Sequence, residues 1–132
     1  MADKENILAI DLGAKKTGLA LATEGFVLGK GKISGFDNWQ SLVGELRDVI
    51  KKNDVNYLVV GIPYSRSGER ARRYRGLTRR LYRQLRLPVA TIDETLTSFE
   101  AARRDQSRGT KGGDDDEAAA KIILEEYINA RS

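Results

Sequence analysis

Acidic residues stand at three points where the sequence predicts that one element ends or the next begins. Asp11 follows the apolar run 7–10, Asp93 and Glu94 follow a later apolar run, and three aspartates at 114–116 open the last predicted helix. The chain has 132 residues and contains neither histidine nor cysteine. Acid–base or metal chemistry must therefore rest on Asp, Glu, Lys, Tyr or water. This composition excludes serine–histidine hydrolysis and zinc bound by histidine or thiolate.

These carboxylates suit a divalent metal if the fold brings them together. The first strand of such a sheet usually lies centrally, and the carboxyl ends of parallel strands meet at one edge. Carboxylates that converge there without a cationic partner repel one another, and a divalent cation relieves the repulsion. Oxygen ligands alone favour Mg²⁺ or Mn²⁺. Two such ions can activate water and stabilise the leaving oxygen during phosphodiester cleavage.

Each acidic position also has a purely structural explanation. The aspartates at 114–116 can cap a helix and interact with its positive N-terminal end. Asp93 can cap a following helix together with Thr95, and Asp11 can accept hydrogen bonds from turn amides around Gly13. Each explanation is adequate for one position alone. The coincidence of all three at one predicted sheet edge favours a shared site.

The elements that must position these residues follow from the spacing of apolar residues. The pattern predicts the order β-β-β-α-β-α-β-α-α, with a turn from Gly13 to Gly18 and with Asp37 capping the first helix. The predicted strands are 7–10, 19–22, 26–33, 57–60 (closed by Gly61-Ile62-Pro63) and 88–92, and the predicted helices are 38–53, 69–85, 96–104 and 114–130. Three meander strands followed by alternating helices and strands imply an α/β fold. We expect a five-stranded mixed sheet with helices on its faces, in one domain spanning 1–132.

Composition limits the classes of protein to which the chain can belong. About 40% of the residues are hydrophobic, and no apolar run approaches the roughly 20 residues that a membrane span needs. The N-terminal residues mix acids and bases before a short apolar run, which is typical of neither a signal peptide nor a transit peptide. The lack of cysteine fits a cytoplasmic protein. We therefore expect a cytoplasmic protein with no membrane partner.

Positive charge is concentrated between Arg66 and Arg86, although the formal net charge is only +4. Arginine forks match the geometry of phosphate groups, so this region suggests binding to nucleic acid through its backbone. The alternative is a solvated helix face on a basic protein. Lys15 and Lys16 follow Asp11 closely, and they can either hold a phosphate near the metal or occupy an exposed hairpin turn.

Four segments of the chain resemble the YqgF/RuvX family, whose members are described as Holliday junction resolvases with an RNase H-like fold. From the first segment to the last, the resemblance extends over nearly the whole chain. In order they are the first strand and turn (IDLGAKKTGLALA), the Gly-x-Pro strand end (VVGIPYSRSGE), the acidic strand end (VATIDETLTSFEA) and the final helix (DDDEAAAKIILEEYI).

The resemblance implies a set of site residues. The family's acidic positions fall on Asp11, on Glu94 in preference to Asp93, and on Asp116, which lies three residues before Ala119. It implies that Asp11, Glu94 and Asp116 are catalytic and bind Mg²⁺ or Mn²⁺. Residues that can contact nucleic acid are Lys15, Lys16, Arg66, Arg70 and Arg73.

The chain departs from the family pattern at two places. Thr95 stands where the family usually has arginine after the acidic pair. The loop after Pro63 reads YSRSG, where the family usually has asparagine and an Asp-Gly pair. Loss of the arginine can shift substrate preference or weaken activity, and Lys15, Lys16 or Arg66 can compensate for it.

The resemblance predicts a metal-dependent endonuclease that acts on structured nucleic acid. Its substrate would be a Holliday junction in DNA recombination, or precursor 16S rRNA during 5′-end maturation, and the protein would be a monomer or a homodimer. Two alternatives stay open. One is a non-catalytic nucleic-acid-binding protein on a degenerate nuclease fold. The other is an ATP-handling protein of the related actin-like superfamily, for which the chain is short.

Overall fold

The structure is a computed structural model that describes residues 5–63, 68–93 and 115–131. The described elements follow the predicted order, and a short 3-10 helix precedes the first α-helix. The strands are β1 Asn6–Asp11, β2 Lys16–Thr23, β3 Phe26–Ser34, β4 Tyr57–Ile62 and β5 Val89–Asp93, the 3-10 helix is Phe36–Asn38, and the α-helices are α1 Trp39–Lys52, α2 Glu69–Leu85 and α3 Asp115–Arg131.

The strands form one five-stranded sheet in the order β3-β2-β1-β4-β5. β1 is central, with β2 antiparallel on one side and β4 parallel on the other, and β5 continues the parallel half. β2 and β3 complete an antiparallel meander, joined by a tight turn in which Glu24 and Gly25 both have positive φ. The mixed sheet predicted from the sequence is confirmed.

Strand alternation divides the core into two layers, one on each face of the sheet. On the first face, Leu8, Ile10 and Leu58 pack with residues of α1 and α2. On the second face, Ala9 and Val59 pack against α3. We call these the α1/α2 face and the α3 face.

Small residues let α3 lie close to the sheet. Ala20 and Ala22 on β2 meet Ala119 and Ala120 of the helix in the core of the α3 face. A Cβ atom added at Gly61 of β4 would collide with the Ile123 side chain. The close approach fixes α3 against the central strands, and with it the direction of the helix axis.

The turn between β1 and β2 is locked to the chain that enters α1. The backbone N–H groups of Gly35, Phe36 and Asp37 donate to the carbonyl oxygens of Lys15, Gly13 and Ala14, at 2.9 Å each. A Cβ at Gly35 would collide with the Ala14 and Gly13 carbonyls, and a Cβ at Gly13 would collide with the Lys16 carbonyl. Both glycines are therefore required by close backbone contact.

Three details differ from the sequence predictions or lie beyond what the structure describes. Gly18 lies inside β2 rather than in the turn, because the strand already begins at Lys16. Asp37 lies within the 3-10 helix, and α1 begins at Trp39 with Asn38 as its N-cap and without a side-chain capping hydrogen bond. The helix predicted at 96–104 lies outside the described residues. No helix in the described ranges is both long and apolar enough to cross a membrane.

Candidate functional site

Asp11 is a buried carboxylate at the carboxyl end of the central strand. Only 4% of the residue is exposed, and it pairs with Gly18 of the neighbouring strand β2. On the other side, Ile10 pairs with Val60, so Gly61 is the next residue of β4 beside Asp11. Glycines thus flank Asp11 on both neighbouring strands, and neither places a side chain over it. Alternation puts Asp11 on the α3 face, two residues beyond Ala9.

Asp93 ends β5 at the same edge of the sheet but at a position of the opposite parity. It pairs with Ile62, which belongs to the core of the α1/α2 face. Residues directly paired on neighbouring strands fall on the same face of a sheet. Asp93 therefore occupies a position of the α1/α2 face, whereas Asp11 lies on the α3 face.

The direction of α3 follows from two contacts with β4. The Tyr127 ring lies 5.9 Å from the ring of Tyr57, the first residue of β4. Ile123 lies over Gly61, near the carboxyl end of the same strand. The helix therefore runs antiparallel to β4, and its N-terminal turns point to the edge where Asp11 lies. Asp116 precedes Ile123 by seven residues, or about 10 Å along the helix.

The helical period puts the positions of Asp116 and Asp115 on different sides of α3. Asp116 precedes Ala119 and Ala120 by three and four residues, so its position continues the stripe that packs on the sheet. Asp115 stands 100° away around the helix axis, on the side away from the centre of that stripe. The helix geometry thus agrees with the preference for Asp116.

Two predicted site residues, Glu94 and Arg66, lie outside the described residues. Asp116 is described only by its place in α3. Within residues 5–63, 68–93 and 115–131, no three acidic residues form a group able to hold a metal. Among the three predicted ligands, the structure describes the side-chain environment of Asp11 alone, and the direction of α3 turns its N-terminal end toward the same edge of the sheet.

The donor set suits a hard divalent cation. The chain supplies only oxygen ligands of the acidic type, because histidine and cysteine are absent. Asp11 is a carboxylate held in the core, and burial of a carboxylate costs several kcal/mol unless it is paired, hydrogen-bonded or bound to a cation. Mg²⁺ and Mn²⁺ prefer carboxylate oxygens and retain several water ligands. The residues present therefore fit such an ion.

The two lysines that follow Asp11 are placed differently. The Lys15 ammonium lies 3.6 Å from an Asp37 carboxylate oxygen, yet the Lys15 side chain is 87% exposed. An ion pair this exposed contributes little to stability, so Lys15 stays accessible. Lys16 opens β2 and is exposed, and alternation through Gly18 puts it on the face of Asp11. Both lysines thus border the candidate site.

Arginines of α2 stack on aromatic rings near the start of α1. The guanidinium of Arg73 lies 5.0 Å from the Phe36 ring centroid, and that of Arg80 lies 4.1 Å from the Trp39 centroid. Arg70 lies 5.7 Å from the ring of Tyr74 in its own helix. Such stacks hold the guanidinium plane while leaving its N–H groups on the edge. The apolar spacing of α1 predicts that Trp39 lies on its buried stripe, and it does not predict the contact with Arg80. The only signal in the sequence is the seven-residue spacing between Arg73 and Arg80.

Comparison with known proteins gives a consistent family match. The family model described as "RuvX: Holliday junction resolvase" matches residues 5–130. A protein of Thermosynechococcus vestitus named "Putative pre-16S rRNA nuclease" is 34% identical over 96% of this chain and 89% of its own length. A protein of Rippkaea orientalis with the same name is 33% identical over 98% of this chain and 99% of its own.

Solved structures support the fold independently of sequence identity. RuvC of Thermus thermophilus in complex with a Holliday junction superposes with a TM-score of 0.60 at 12% identity, over 97% of both chains. A second RuvC structure from Thermus thermophilus gives a TM-score of 0.56 at 10% identity, over 96% of both chains. At such low identity the likeness is evidence of a shared RNase H-like fold, which confirms the predicted fold class.

Proposed function

The chain belongs to the RuvX family of Holliday junction resolvases, and from that premise we propose that Asp11, Glu94 and Asp116 form its divalent-metal site. It is a nuclease with an RNase H-like fold. The metal, its ligands and the substrate of this particular chain are the parts that we propose.

One observation supports the site above the others. A carboxylate lies at 4% exposure on the end of the central strand, and the helix packed on its face points its acidic N-terminal turn to the same edge. A buried acid alone would be explained by turn hydrogen bonds. Convergence of this acid with the aspartate-rich start of the helix would add repulsion between like charges, which a cation relieves.

The alternation of strand positions between the two faces of the sheet supports the choice of Glu94 as the third ligand. Asp93 stands at a strand position of the α1/α2 face, whereas Asp11 stands on the α3 face, so strand alternation favours the adjacent acid as the partner of Asp11. The adjacent acid, Glu94, also has a longer side chain. We therefore assign the metal-binding role to Glu94 and an accessory structural role to Asp93.

The ion, when bound, activates water and stabilises the leaving oxygen of the phosphodiester. The protein holds the Asp11 carboxylate by pairing β1 on both sides, so the ligand does not reorganise when substrate arrives. Gly18 and Gly61 place no side chain of their own beside it, and Ile123 of α3 fills the space over Gly61. Lys16 supplies positive charge on the same face and is assigned to orient a substrate phosphate, with Lys15 behind it.

Structured nucleic acid is the proposed substrate class. The family description names Holliday junctions, and the names of the relatives refer to precursor 16S rRNA. Resolution of a junction requires two cuts and so favours a symmetric homodimer, whereas a single cut in rRNA needs only a monomer. Sedimentation of the protein with each substrate therefore accompanies the cleavage assay.

The test is cleavage of a four-way DNA junction and of a precursor 16S rRNA fragment at equal ionic strength, with Mg²⁺, with Mn²⁺ and with EDTA. We expect the wild-type protein to cut at least one substrate in a metal-dependent manner. Asp11→Asn should lower the rate at least about a hundredfold, because a metal site contributes several kcal/mol to the transition state. Asp48→Asn, which removes an exposed acid of α1, is the matched control and should leave the rate unchanged.

Undiminished cleavage by Asp11→Asn would refute the assigned site. Binding of both substrates without cleavage by the wild-type protein under either metal would instead support a non-catalytic nucleic-acid-binding protein. Preference between the two substrates at equal protein concentration decides which one is the better model of the natural target.

A further inference from the structure

The arginines of α2 fall into two sets that lie on different sides of the helix. Arg70, Arg73 and Arg80 stack on aromatic rings, as described above. The arginines of the second set are exposed to solvent, and their helical positions lie on the side away from Arg73 and Arg80. Together with the exposed Tyr82 among them they form a surface that we call the outer stripe, and its members are Arg72, Arg75, Arg79, Tyr82, Arg83 and Arg86.

The outer stripe follows the helical period along the whole length of α2. Its members recur at intervals of three or four residues, apart from the adjacent pair Tyr82 and Arg83, so they line up along the axis. From Arg72 to Arg86 the stripe extends about 21 Å at 1.5 Å per residue. Tyr82 lies among the arginines with 53% of the residue exposed. An exposed aromatic ring between cations is typical of surfaces that combine phosphate contacts with stacking on a base.

We propose that the outer stripe is a second nucleic-acid contact surface, separate from the candidate metal site, and that it follows the sugar–phosphate backbone without reading sequence. The inference rests on the proposed function for the identity of the ligand. Arginines provide the phosphate contacts, and Tyr82 stacks on an exposed base at a helix end, a junction or a single-stranded segment.

The position of α2 connects the outer stripe with the candidate site. α2 begins soon after the carboxyl end of β4, and β5 begins just after the helix ends. Arg72 therefore lies toward the sheet edge that carries Asp11, and Arg86 lies toward the opposite edge. A nucleic acid that crosses the Asp11 edge can continue down the outer stripe. At 3.4 Å per phosphate along one strand, the stripe matches about six base pairs.

The backbone at Arg86 provides a further argument that charge is retained for binding. Arg86 caps α2 with φ 60° and ψ 31°, and its N–H donates to the Tyr82 carbonyl at 2.8 Å. Glycine is the residue that adopts this left-handed cap without strain, and it is the usual choice there. A cation at the C-terminal end also interacts favourably with the helix dipole. Replacement by glycine relieves the strain and removes the charge together, so a role of the charge in binding shows as weaker binding without loss of stability.

The test compares two double variants that remove the same charge. Arg79→Gln with Arg83→Gln neutralises the outer stripe, and Lys30→Gln with Lys121→Gln neutralises exposed lysines on β3 and α3. Binding to a four-way DNA junction and to an RNA hairpin with a single-stranded extension is measured in EDTA over a range of KCl concentrations. We expect the slope of log affinity against log salt to fall by about 2 for the arginine pair on duplex arms, and by much less for the lysine pair.

Equal slopes for the two double variants would overturn the inference and identify the arginines as a solvated helix face. Three further variants test the same surface, and the first of them also excludes a folding defect as the cause. Arg86→Gly should bind more weakly while its melting temperature stays equal or rises. Tyr82→Ala should weaken binding to the single-stranded extension, and Tyr82→Phe should restore it. Unchanged binding by Arg86→Gly and by Tyr82→Ala would also contradict the proposal.

The experiment separates this inference from the proposed function. If the wild-type protein binds and cleaves while the arginine pair binds with an unchanged salt slope, only the outer stripe is refuted. If the wild-type protein binds with the expected slope but cleaves neither substrate under Mg²⁺ or Mn²⁺, the nuclease site is refuted and the contact surface stands.

Discussion

Asp11 is a residue of the buried core and is also the first residue of the proposed metal site. It is buried at the end of the strand that pairs on both sides, so its backbone is as constrained as any in the core. Asparagine keeps the size of the side chain and removes the charge together with its desolvation cost, so the Asp11→Asn variant should remain folded. Loss of activity with retained stability would indicate that the acid is kept for chemistry.

Neutralisation of Asp93 and of Glu94, which are adjacent in the sequence, should change the rate of cleavage by different amounts. Glu94→Gln should reduce metal-dependent cleavage about as strongly as Asp11→Asn, by at least about a hundredfold. Asp93→Asn should reduce it less than about tenfold, because its strand position belongs to the α1/α2 face. Initial rates at several Mg²⁺ concentrations measure both effects. A reversed order would mean that the ligand is Asp93.

The sequence predicted the residue types of the candidate site better than their geometry. Acidic residues at three predicted element ends, together with the lack of histidine and cysteine, predicted an oxygen-ligand site at a sheet edge. The face parity of Asp93 depends on its pairing with Ile62, which joins residues 31 positions apart, and no local pattern encodes that register. Gly18 was assigned to the turn because glycine is common in turns. In the structure it lies in β2, where it pairs directly with Asp11 of β1.

Among the elements, the β1–β2 turn depends on a segment that is distant in sequence. Three consecutive carbonyls of the turn accept hydrogen bonds from the start of the 3-10 helix, so the turn and the entry to α1 hold each other. The lysines beside the candidate site are part of this turn. Their placement therefore depends on the backbone contact at Gly35.

Replacement of Gly35 by alanine should separate the turn from the 3-10 helix. The new Cβ would collide with backbone carbonyls that cannot rotate away, so we expect the free energy of unfolding to fall by about 1–3 kcal/mol. Gly76→Ala is the matched control, since a Cβ there meets open space inside α2 and should raise the free energy of unfolding by about 1 kcal/mol. Urea unfolding measures both changes. A neutral Gly35→Ala would mean that the turn can move away at no cost.

Long amphipathic elements were the most predictable part of the fold. The bounds of α2 agree with the predicted 69–85, since seventeen residues of apolar spacing leave little ambiguity. The periodicity identified the buried face of α1 but not the residue that covers Trp39. That residue, Arg80, comes from another helix, and only the tertiary packing of α1 against α2 brings it there.

For the whole molecule, the candidate site joins parts that are far apart along the chain. Asp11 belongs to the first strand, Asp116 to the last helix, and the sheet order places β4 between β1 and β5. The C-terminal end of β1 and the N-terminal end of α3 are directed to the same edge of the sheet only when the sheet has formed and α3 has packed on it. A cation bound there would link the sheet to α3.

Mg²⁺ should therefore stabilise the folded protein as well as support cleavage. At about 100 times the dissociation constant, a ligand that binds only the folded state adds about 2.7 kcal/mol to the free energy of unfolding. We expect this gain in thermal melts of the wild-type protein and of Asp48→Asn, and its loss on addition of EDTA. Asp11→Asn should show little or none of it. An equal gain in all three proteins would place the bound ion elsewhere.

The stack of Arg80 on Trp39 gives the protein an intrinsic optical reporter. Trp39 is the only tryptophan in the chain, and it lies where α1 begins, 4.1 Å from a guanidinium of α2. Its fluorescence emission therefore reports the docking of two helices at one location, with no label introduced. Coincidence of that signal with circular dichroism, which reports all the helices, would establish whether this region unfolds together with the rest of the protein or separately.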